Sequence, residues 1–184
     1  MVQRVIDGDF IYFVTFNVHQ QRWFFVDNKR AEVFGQVIQT CCQMKGFVLF
    51  AYCILPNHVH VLLKKQDTEK SERTLGSMRF EKNIEVAPES YLFAHRRLPS
   101  RRSVNAPPTL SDLMHSIKST YSQHLRKGKF WHRRSFVRLV DNQEYFNHLI
   151  NYIRLNYQKM SLGDHYGQPP FVFINWEEIQ DFFQ

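Results

Sequence analysis

The stretch FVLFAYCILPNHVHVLLK, residues 47–64, carries the clearest structural signal in the chain. Its first part, Phe47–Leu55, is apolar and rich in aromatic and β-branched residues, which is typical of a buried strand. Pro56-Asn57 interrupts the run, because proline lacks a backbone N–H and asparagine favours turns. Histidines then alternate with aliphatic residues over His58–Lys64. The pattern predicts two consecutive strands separated by a short break.

A strand and a capped helix are predicted before this pair. Residues Phe10–Val18 (FIYFVTFNV) are aromatic and β-branched, which favours a central strand. Asp27 and Asn28 offer helix caps, apolar residues follow at helical spacing as far as Met44, and Gly46 is a suitable stop. This β-α-β-β opening predicts an α+β protein with a ferredoxin-like split β-α-β fold, an antiparallel sheet and helices on one face.

The second half of the chain predicts further regular elements. Apolar residues at helical spacing mark a helix within Thr109–Gly128, and residues 129–140 indicate a basic loop that leads into a strand. An Asp-x-x-Glu cap that begins at Asp141 predicts a helix to about Met160. Trp176–Gln184 predicts a short final helix.

Between residues 66 and 108 the periodicity fades, and this stretch holds four prolines and two Arg-Arg pairs. A connection of that length without regular structure is unusual inside a compact domain. The length of 184 residues suits one domain, 1–184, with residues 66–108 as an insertion or mobile basic loop within it. Such a segment is either an arm that contacts DNA or a solvated loop.

Composition narrows the class of protein. Apolar residues make up 43% of the chain, enough for a real core, and the formal net charge of +7 makes a polyanionic partner plausible, although many soluble proteins are mildly basic. Three cysteines, two of them adjacent, form neither Cys-x-x-Cys zinc spacing nor a disulfide framework. No signal peptide is evident, and the longest apolar stretch is too short to span a bilayer. We therefore expect a cytoplasmic protein with no membrane partner.

His58 and His60 form the first candidate site. Residues two apart on a strand point to the same side, so both imidazoles project from one face while Val59 points to the other. Two imidazoles side by side are a natural half-site for a divalent metal. A His-x-His pair also arises by chance, so the pair alone leaves both interpretations open.

Tyr152 and Asn156 form the second candidate site, on the predicted helix after Asp141. They are four residues apart and therefore share one helix face, together with His148 and Lys159 and beside the apolar stripe. A tyrosine among such neighbours suits nucleophilic chemistry on a phosphodiester, with a cation to neutralise the phosphate. The alternative is an ordinary amphipathic tyrosine at the rim of the core.

Two segments together resemble a known family. YCILPNHVHVLL, residues 52–63, resembles the HUH segment of the single-tyrosine transposases, and most closely that of the REP-associated tyrosine transposase branch. FWHRR (130–134), Val140-Asp141 and YIRLN (152–156) are similar to that branch's aromatic-basic motif and to its helix ending in Tyr-Ile-x-x-Asn-Pro-Val-Lys. Order and spacing agree, and the resemblance covers roughly the whole chain outside residues 66–108.

The resemblance implies a transposase that cleaves and rejoins single-stranded, hairpin-flanked DNA through a 5′-phosphotyrosine intermediate. By position, Tyr152 is the nucleophile, and His58, His60 and Asn156 hold one divalent metal ion, Mg²⁺ or Mn²⁺. The family's partner is single-stranded DNA with a hairpin, and its members work as monomers or homodimers.

The chain departs from the branch after Asn156. Tyr157 and Gln158 stand where the branch has proline and valine, whereas Lys159 is retained. Loss of the proline predicts a longer helix. Reading splayed single-stranded DNA needs cations for phosphates and flat side chains for bases. The residues expected to supply these contacts are Arg133, Arg134, Lys118, Arg126, Trp131 and Lys159.

Two other functions compete with an active strand transferase. A domesticated relative would grip hairpin DNA without cutting it, although retention of all four site residues speaks against this. An unrelated metal-dependent hydrolase would use the histidine pair with a third His, Asp or Glu ligand and give Tyr152 no role. For Trp131 the alternative to DNA contact is a place in the core.

Overall fold

The computed structural model describes residues 10–66 and 107–183, which form five strands and four α-helices. In chain order these are β1 (Ile11–Asn17), α1 (Asn28–Lys45), β2 (Phe47–Leu55), β3 (His58–Lys65), α2 (Leu110–His124), β4 (Phe136–Val140), α3 (Gln143–Lys159), β5 (Val172–Ile174) and α4 (Trp176–Phe182). The strands and helices expected from the sequence are present, and β5 is an addition. Apart from its two ends, the predicted insertion at 66–108 lies outside the described residues.

The strands form one antiparallel sheet in the order β4-β1-β3-β2-β5. The strands β1 and β2 are joined through α1 and have β3 between them, which is the arrangement of a split β-α-β unit. Helix α2 then leads to β4 at the edge beside β1. The α+β, ferredoxin-like fold predicted from the sequence is confirmed.

Helices α1 and α2 pack on one face of the sheet over a cluster of aromatic rings. The ring of Phe34 is fully buried, 4.6 Å from that of Tyr121 and 5.0 Å from that of Trp131, between centroids. Large buried rings dominate core energetics, and loss of one costs roughly 3–5 kcal/mol. This face therefore supplies much of the stability of the fold.

Helices α3 and α4 cover the opposite face of the sheet. The sequence predicted helices on one face only, so this second helical layer was not expected. The prediction holds for α1 and α2, whereas α3 buries Phe146, Leu149, Ile150 and Ile153 against the other side of the strands. The physical reason lies in β2 and β3, whose side chains are apolar in both directions and so need cover on both faces. The sheet is therefore the middle layer of three.

Most helix ends follow the caps expected from the sequence. The side chain of Asp27 accepts a hydrogen bond from the backbone N–H of Arg30 at 2.9 Å, and Gly46 closes α1 with φ of 65°. The expected cap at Asp141 was wrong by one residue. Asn142 is the N-cap of α3, and its Oδ1 accepts from the N–H of Tyr145 at 2.8 Å.

The C-terminal end of α3 fits the loss of the family's proline. The helix continues through Lys159, three residues beyond Asn156.

All three cysteines are buried and unpaired, as expected for reduced thiols. Within 10–66 and 107–183, no helix is both long and apolar enough to cross a membrane.

Candidate active site

The histidine pair lies on β3 in the middle of the sheet, on the face covered by α3. The rings of His58 and His60 are 4.8 Å apart between centroids and nearly perpendicular. In the strand register, His60 has Thr15 of β1 on one side and Cys53 of β2 on the other. The predicted same-side projection of the two imidazoles is thus the geometry found.

Hydrogen bonds select which nitrogen of His58 keeps its lone pair. His58 Nδ1 lies 2.6 Å from Asn57 Oδ1, and Asn57 Nδ2 donates to Gln21 Oε1 at 3.3 Å, which sets the orientation of the amide. Because Oδ1 can only accept, Nδ1 carries the hydrogen and Nε2 has the lone pair. An outer partner of this kind fixes the tautomer of a metal-binding histidine.

His60 has an equivalent partner on the neighbouring strand. Its Nδ1 lies 2.9 Å from Thr15 Oγ1, and both side chains are buried. Its Nε2 lies 3.4 Å from the phenolic oxygen of Tyr152. When Nδ1 donates to Thr15, Nε2 is free to accept from the phenol.

Burial keeps both imidazoles neutral. It lowers the pKa of His58, and burial together with the neighbouring His58 lowers the pKa of His60 to about 3. A neutral imidazole is the form that binds a metal or accepts a proton. The pair is therefore in the required state at neutral pH.

Tyr152 projects from α3 towards this pair and is half-buried. Phe13 of β1 stacks on His60 with centroids 5.1 Å apart and meets Tyr152 edge-on at 6.1 Å. Lys159, two helical turns further on, places its Nζ 4.8 Å from the centre of the Tyr152 ring. These contacts aim the phenol at the histidine and set a positive charge beside it.

Burial raises the pKa of Tyr152, and so, to a smaller extent, does Cys53, whereas a hydrogen bond with Asn156 lowers it. The phenol is therefore protonated at neutral pH and needs help to become a nucleophile. Burial also raises the pKa of Cys53 to about 12, so that group stays an uncharged thiol.

Asn156 completes the cluster on the inner side of α3. It is only 3% exposed, and its Nδ2 lies 4.0 Å from Cys53 Sγ, at the outer limit for a hydrogen bond to sulfur. Thr15, His60 and Asn156 are the buried polar residues among 10–66 and 107–183. Buried polar groups are costly and cluster at functional sites, so their convergence at Tyr152 marks this position.

The candidate metal site offers two imidazoles and one amide to a divalent ion. The described residues hold no group of three or more His, Cys, Asp or Glu side chains suited to a metal. The expected set has only two such side chains, His58 and His60, and takes its third ligand from the amide of Asn156. Two neutral imidazoles with free Nε2 atoms and a buried amide beside them fit an ion whose other positions are filled by water or phosphate oxygen.

Two of the residues expected to contact DNA have contacts within the protein. Trp131 is 9% exposed and packs in the aromatic cluster, where its Nε1 donates to Lys118 O at 3.2 Å. Lys118 Nζ donates to the carbonyls of His132 and Arg133, at 3.0 and 3.4 Å. Burial also lowers the pKa of Lys118. Trp131 therefore takes the place in the core that was its alternative, and Lys118 holds the basic loop in place.

The remaining cations are on the surface. Arg126, Arg133 and Arg134 are exposed. The basic loop starts close to the histidines, because His132 N donates to Asn17 O at 2.8 Å and Asn17 pairs with His58 across the sheet. Arg133 and Arg134 therefore follow directly from the His58 end of the site.

Sequence reasoning missed the residues that orient the site. Thr15, Asn57, Cys53 and Phe13 were not candidates, although each touches a histidine, Tyr152 or Asn156. Of these four residues, Asn57 could have been identified from the sequence, because it directly precedes His58. The others depend on strand register, which sequence does not display.

A comparison with known protein families matches the part of the chain that carries the histidine pair. Residues 9–90 match the family described as "Transposase IS200 like", a stretch that includes both histidines and ends before Tyr152. No curated protein matches the chain. The match covers less than half of the chain, and over that stretch the chain is similar to the IS200-like transposases, in line with the resemblance seen in the sequence.

One solved structure shares the fold at low sequence identity. A REP-associated tyrosine transposase bound to a REP hairpin has 14% identity and a TM-score of 0.65, covering 100% of this chain and 88% of that one. A candidate transposase from Deinococcus radiodurans R1 has 13% identity and a TM-score of 0.46, covering 89% of this chain and 98% of that one. The first of these structures shows that the chain shares the fold of that solved protein.

Proposed function

We propose that the chain is a metal-dependent DNA strand transferase that cleaves and rejoins single-stranded DNA with Tyr152 as the nucleophile. The observation that carries this proposal is the contact of 3.4 Å between the Tyr152 phenolic oxygen and His60 Nε2. It joins a helix and a strand that lie far apart in sequence, and it occurs where the buried polar residues converge.

The reaction exchanges one phosphate ester for another. The phenolic oxygen of Tyr152 attacks a DNA phosphorus and forms a 5′-phosphotyrosine bond, while the P–O3′ bond breaks and the leaving oxygen takes a proton to become a 3′-OH. Attack by a 3′-OH on the phosphotyrosine reverses the sequence, frees the phenol and rejoins DNA. No oxidant or nucleotide is consumed, because the ester energy is kept in the linkage.

The residues around the phenol prepare it for attack. Asn156 hydrogen-bonds with the phenol, and Lys159 favours the negative charge that develops as the phenol loses its proton. Phe13 fixes the direction of both rings. Together they position the oxygen, which is a large part of catalysis in phosphoryl transfer.

His58, His60 and Asn156 would hold a single divalent ion, Mg²⁺ or Mn²⁺. When bound, such an ion neutralises phosphate oxygens and orients the scissile ester. Thr15 and Asn57 keep Nδ1 of each histidine occupied and so leave both Nε2 atoms available. The known structural relative is bound to a REP hairpin, which supports single-stranded DNA beside a hairpin as the substrate class.

The test incubates the protein with end-labelled single-stranded hairpin DNA taken from beside its gene, with Mg²⁺ or Mn²⁺. We expect a covalent protein–DNA adduct that needs the metal and is lost in Tyr152→Phe. Tyr157→Phe is the matched control, since it removes a phenol from the same helix and should leave the adduct intact.

Other outcomes identify the alternatives. Tight binding with no adduct in either metal would contradict cleavage and indicate a binding module for hairpin DNA. Metal-dependent cleavage that survives in Tyr152→Phe would indicate a hydrolase that uses a water nucleophile. Neither result includes a covalent protein–DNA adduct that depends on Tyr152.

A further inference from the structure

An exposed aromatic ring and an exposed arginine lie on the same face of the sheet as His60. In the strand register, Phe136 of β4 pairs with Thr15 of β1, and Arg138 pairs with Phe13. Paired residues of antiparallel strands project to the same side. Since Thr15 pairs in turn with His60, Phe136 stands two strands from the site, roughly 10 Å away at the usual strand spacing.

Helix α3 extends this surface towards the nucleophile. Tyr145, His148 and Tyr152 are three and then four residues apart, so they follow one stripe of the helix. Arg138 Nη1 donates to the Tyr145 hydroxyl at 3.0 Å, and the rings of Tyr145 and His148 are parallel within 14°. We call the surface formed by Phe136, Arg138, Tyr145 and His148 the β4–α3 strip.

The strip has the composition of a surface for single-stranded nucleic acid. Phe136 is 54% exposed, and within 10–66 and 107–183 no aromatic ring stacks on it. An exposed ring beside an arginine can stack a base while the guanidinium binds the phosphate. Six Lys and Arg against two carboxylates lie between residues 126 and 148, so the surrounding charge is complementary to DNA.

We propose that the β4–α3 strip binds the single strand next to the scissile phosphate, with a base stacked on Phe136 and a phosphate on Arg138. This rests on the proposed function, because it takes the Tyr152 site as the cleavage point. The strand crosses the β4 edge, passes along the α3 stripe and reaches the phenol. Phe136 and Arg138 are then positioning residues, since neither touches the reacting atoms.

The first test measures binding alone. All variants carry Tyr152→Phe, and the probe is a fluorescent oligo-dT strand without a hairpin. Phe136→Ala is expected to weaken binding by about 5-fold or more, the low end for loss of one stacked base. Phe136→Leu should lose affinity as well, because it keeps apolar bulk without a ring. Leu139→Ala is the matched control, since Leu139 lies on the same strand and faces the other side of the sheet.

Salt dependence tests the role of the arginine. Arg138→Gln should reduce the slope of log affinity against log salt by about 0.7, the value for one phosphate contact on a single strand. Unchanged affinity in Phe136→Ala together with an unchanged slope in Arg138→Gln would overturn the proposal. So would an equal loss in Leu139→Ala, because that would indicate a general effect on the strand.

Adduct formation separates this proposal from the proposed function. With Tyr152 restored, Phe136→Ala should form less adduct at low DNA concentration and recover at saturating DNA. If the wild type forms the adduct and Phe136→Ala matches it at every concentration, the strip is wrong while the strand transferase stands. If the wild type forms no adduct but Phe136→Ala still weakens binding of the oligo-dT strand, the catalytic proposal fails and the strip remains a binding surface.

Discussion

Replacing Thr15 with valine should weaken metal binding without touching a metal ligand. The change keeps the branched shape of the side chain but removes Oγ1, which lies 2.9 Å from His60 Nδ1. The buried imidazole then either leaves Nδ1–H unsatisfied or moves its hydrogen to Nε2. In the second case Nε2 becomes a donor, and the lone pair that faces Tyr152 is lost.

Two magnitudes follow from this geometry. A buried donor left without a partner costs about 1–3 kcal/mol, and a domain of this size loses roughly 2–4 °C in Tm for each kcal/mol. Loss of an outer partner of a metal-binding histidine typically lowers metal affinity by about 10- to 100-fold. Metal affinity should therefore fall about 10- to 100-fold, together with a decrease in Tm of roughly 2–12 °C.

The assay is calorimetric titration of Mn²⁺ into the metal-free protein, with thermal unfolding of the same samples. Thr15→Ser is the matched control, because it retains the hydroxyl and should keep most of the affinity. Equal Mn²⁺ affinity in Thr15→Val and the wild type would refute the argument that Thr15 orients His60. A loss in Thr15→Ser as large as in Thr15→Val would show that packing, and not the hydrogen bond, is responsible.

Three further predictions test the protonation of His60, the glycine that ends α1 and the arginines of the basic loop. The pKa of His60 is lowered from 6.5 to about 3, so between these pH values the folded state binds fewer protons than the unfolded state. The metal-free protein should therefore lose stability as the pH falls below about 6.5. Urea unfolding between about pH 7 and pH 4 checks this, and His60→Gln should flatten the dependence. Gly46→Ala should lower Tm by roughly 2–4 °C, because a residue with φ of 65° favours glycine by about 1 kcal/mol, whereas Gly128→Ala, with open space and no such φ, should change Tm little. Arg133→Gln and Arg134→Gln should each reduce the salt slope of single-strand binding by about 0.7 with Tm unchanged, and a slope equal to that of the wild type would remove that residue from the DNA surface.

Local signals in the sequence were enough to predict most of the fold. The helix α1 needed only Asp27, Gly46 and the apolar spacing between them, all of which act over a few residues. The break at Pro56 separated β2 from β3 correctly. The three-residue strand β5 was missed, because it is too short for a period and forms only by pairing with β2.

The sequence predicted which candidate side chains share a face of one element, but it did not predict contacts where two elements meet. The spacing of His58 and His60 and that of Tyr152 and Asn156 determined which side chains share a face. The partner of His60 on β1 could not be read, because a shift in register by one residue would replace Thr15 with a neighbour that points to the other side. The two interpretations of Trp131 stayed open in the sequence for a related reason, since its motif is basic while its side chain enters the core.

The three-layer arrangement has a consequence for how this protein tolerates change. The aromatic cluster lies under α1 and α2, and the polar residues Thr15, His60 and Asn156 lie under α3. In a library of single substitutions, positions on the first side should lower protein abundance, while many on the second should yield well-folded chains that bind DNA without joining it. A lineage that lost the reaction could thus keep the fold, since the aromatic cluster and the polar site lie on opposite sides of the same five strands.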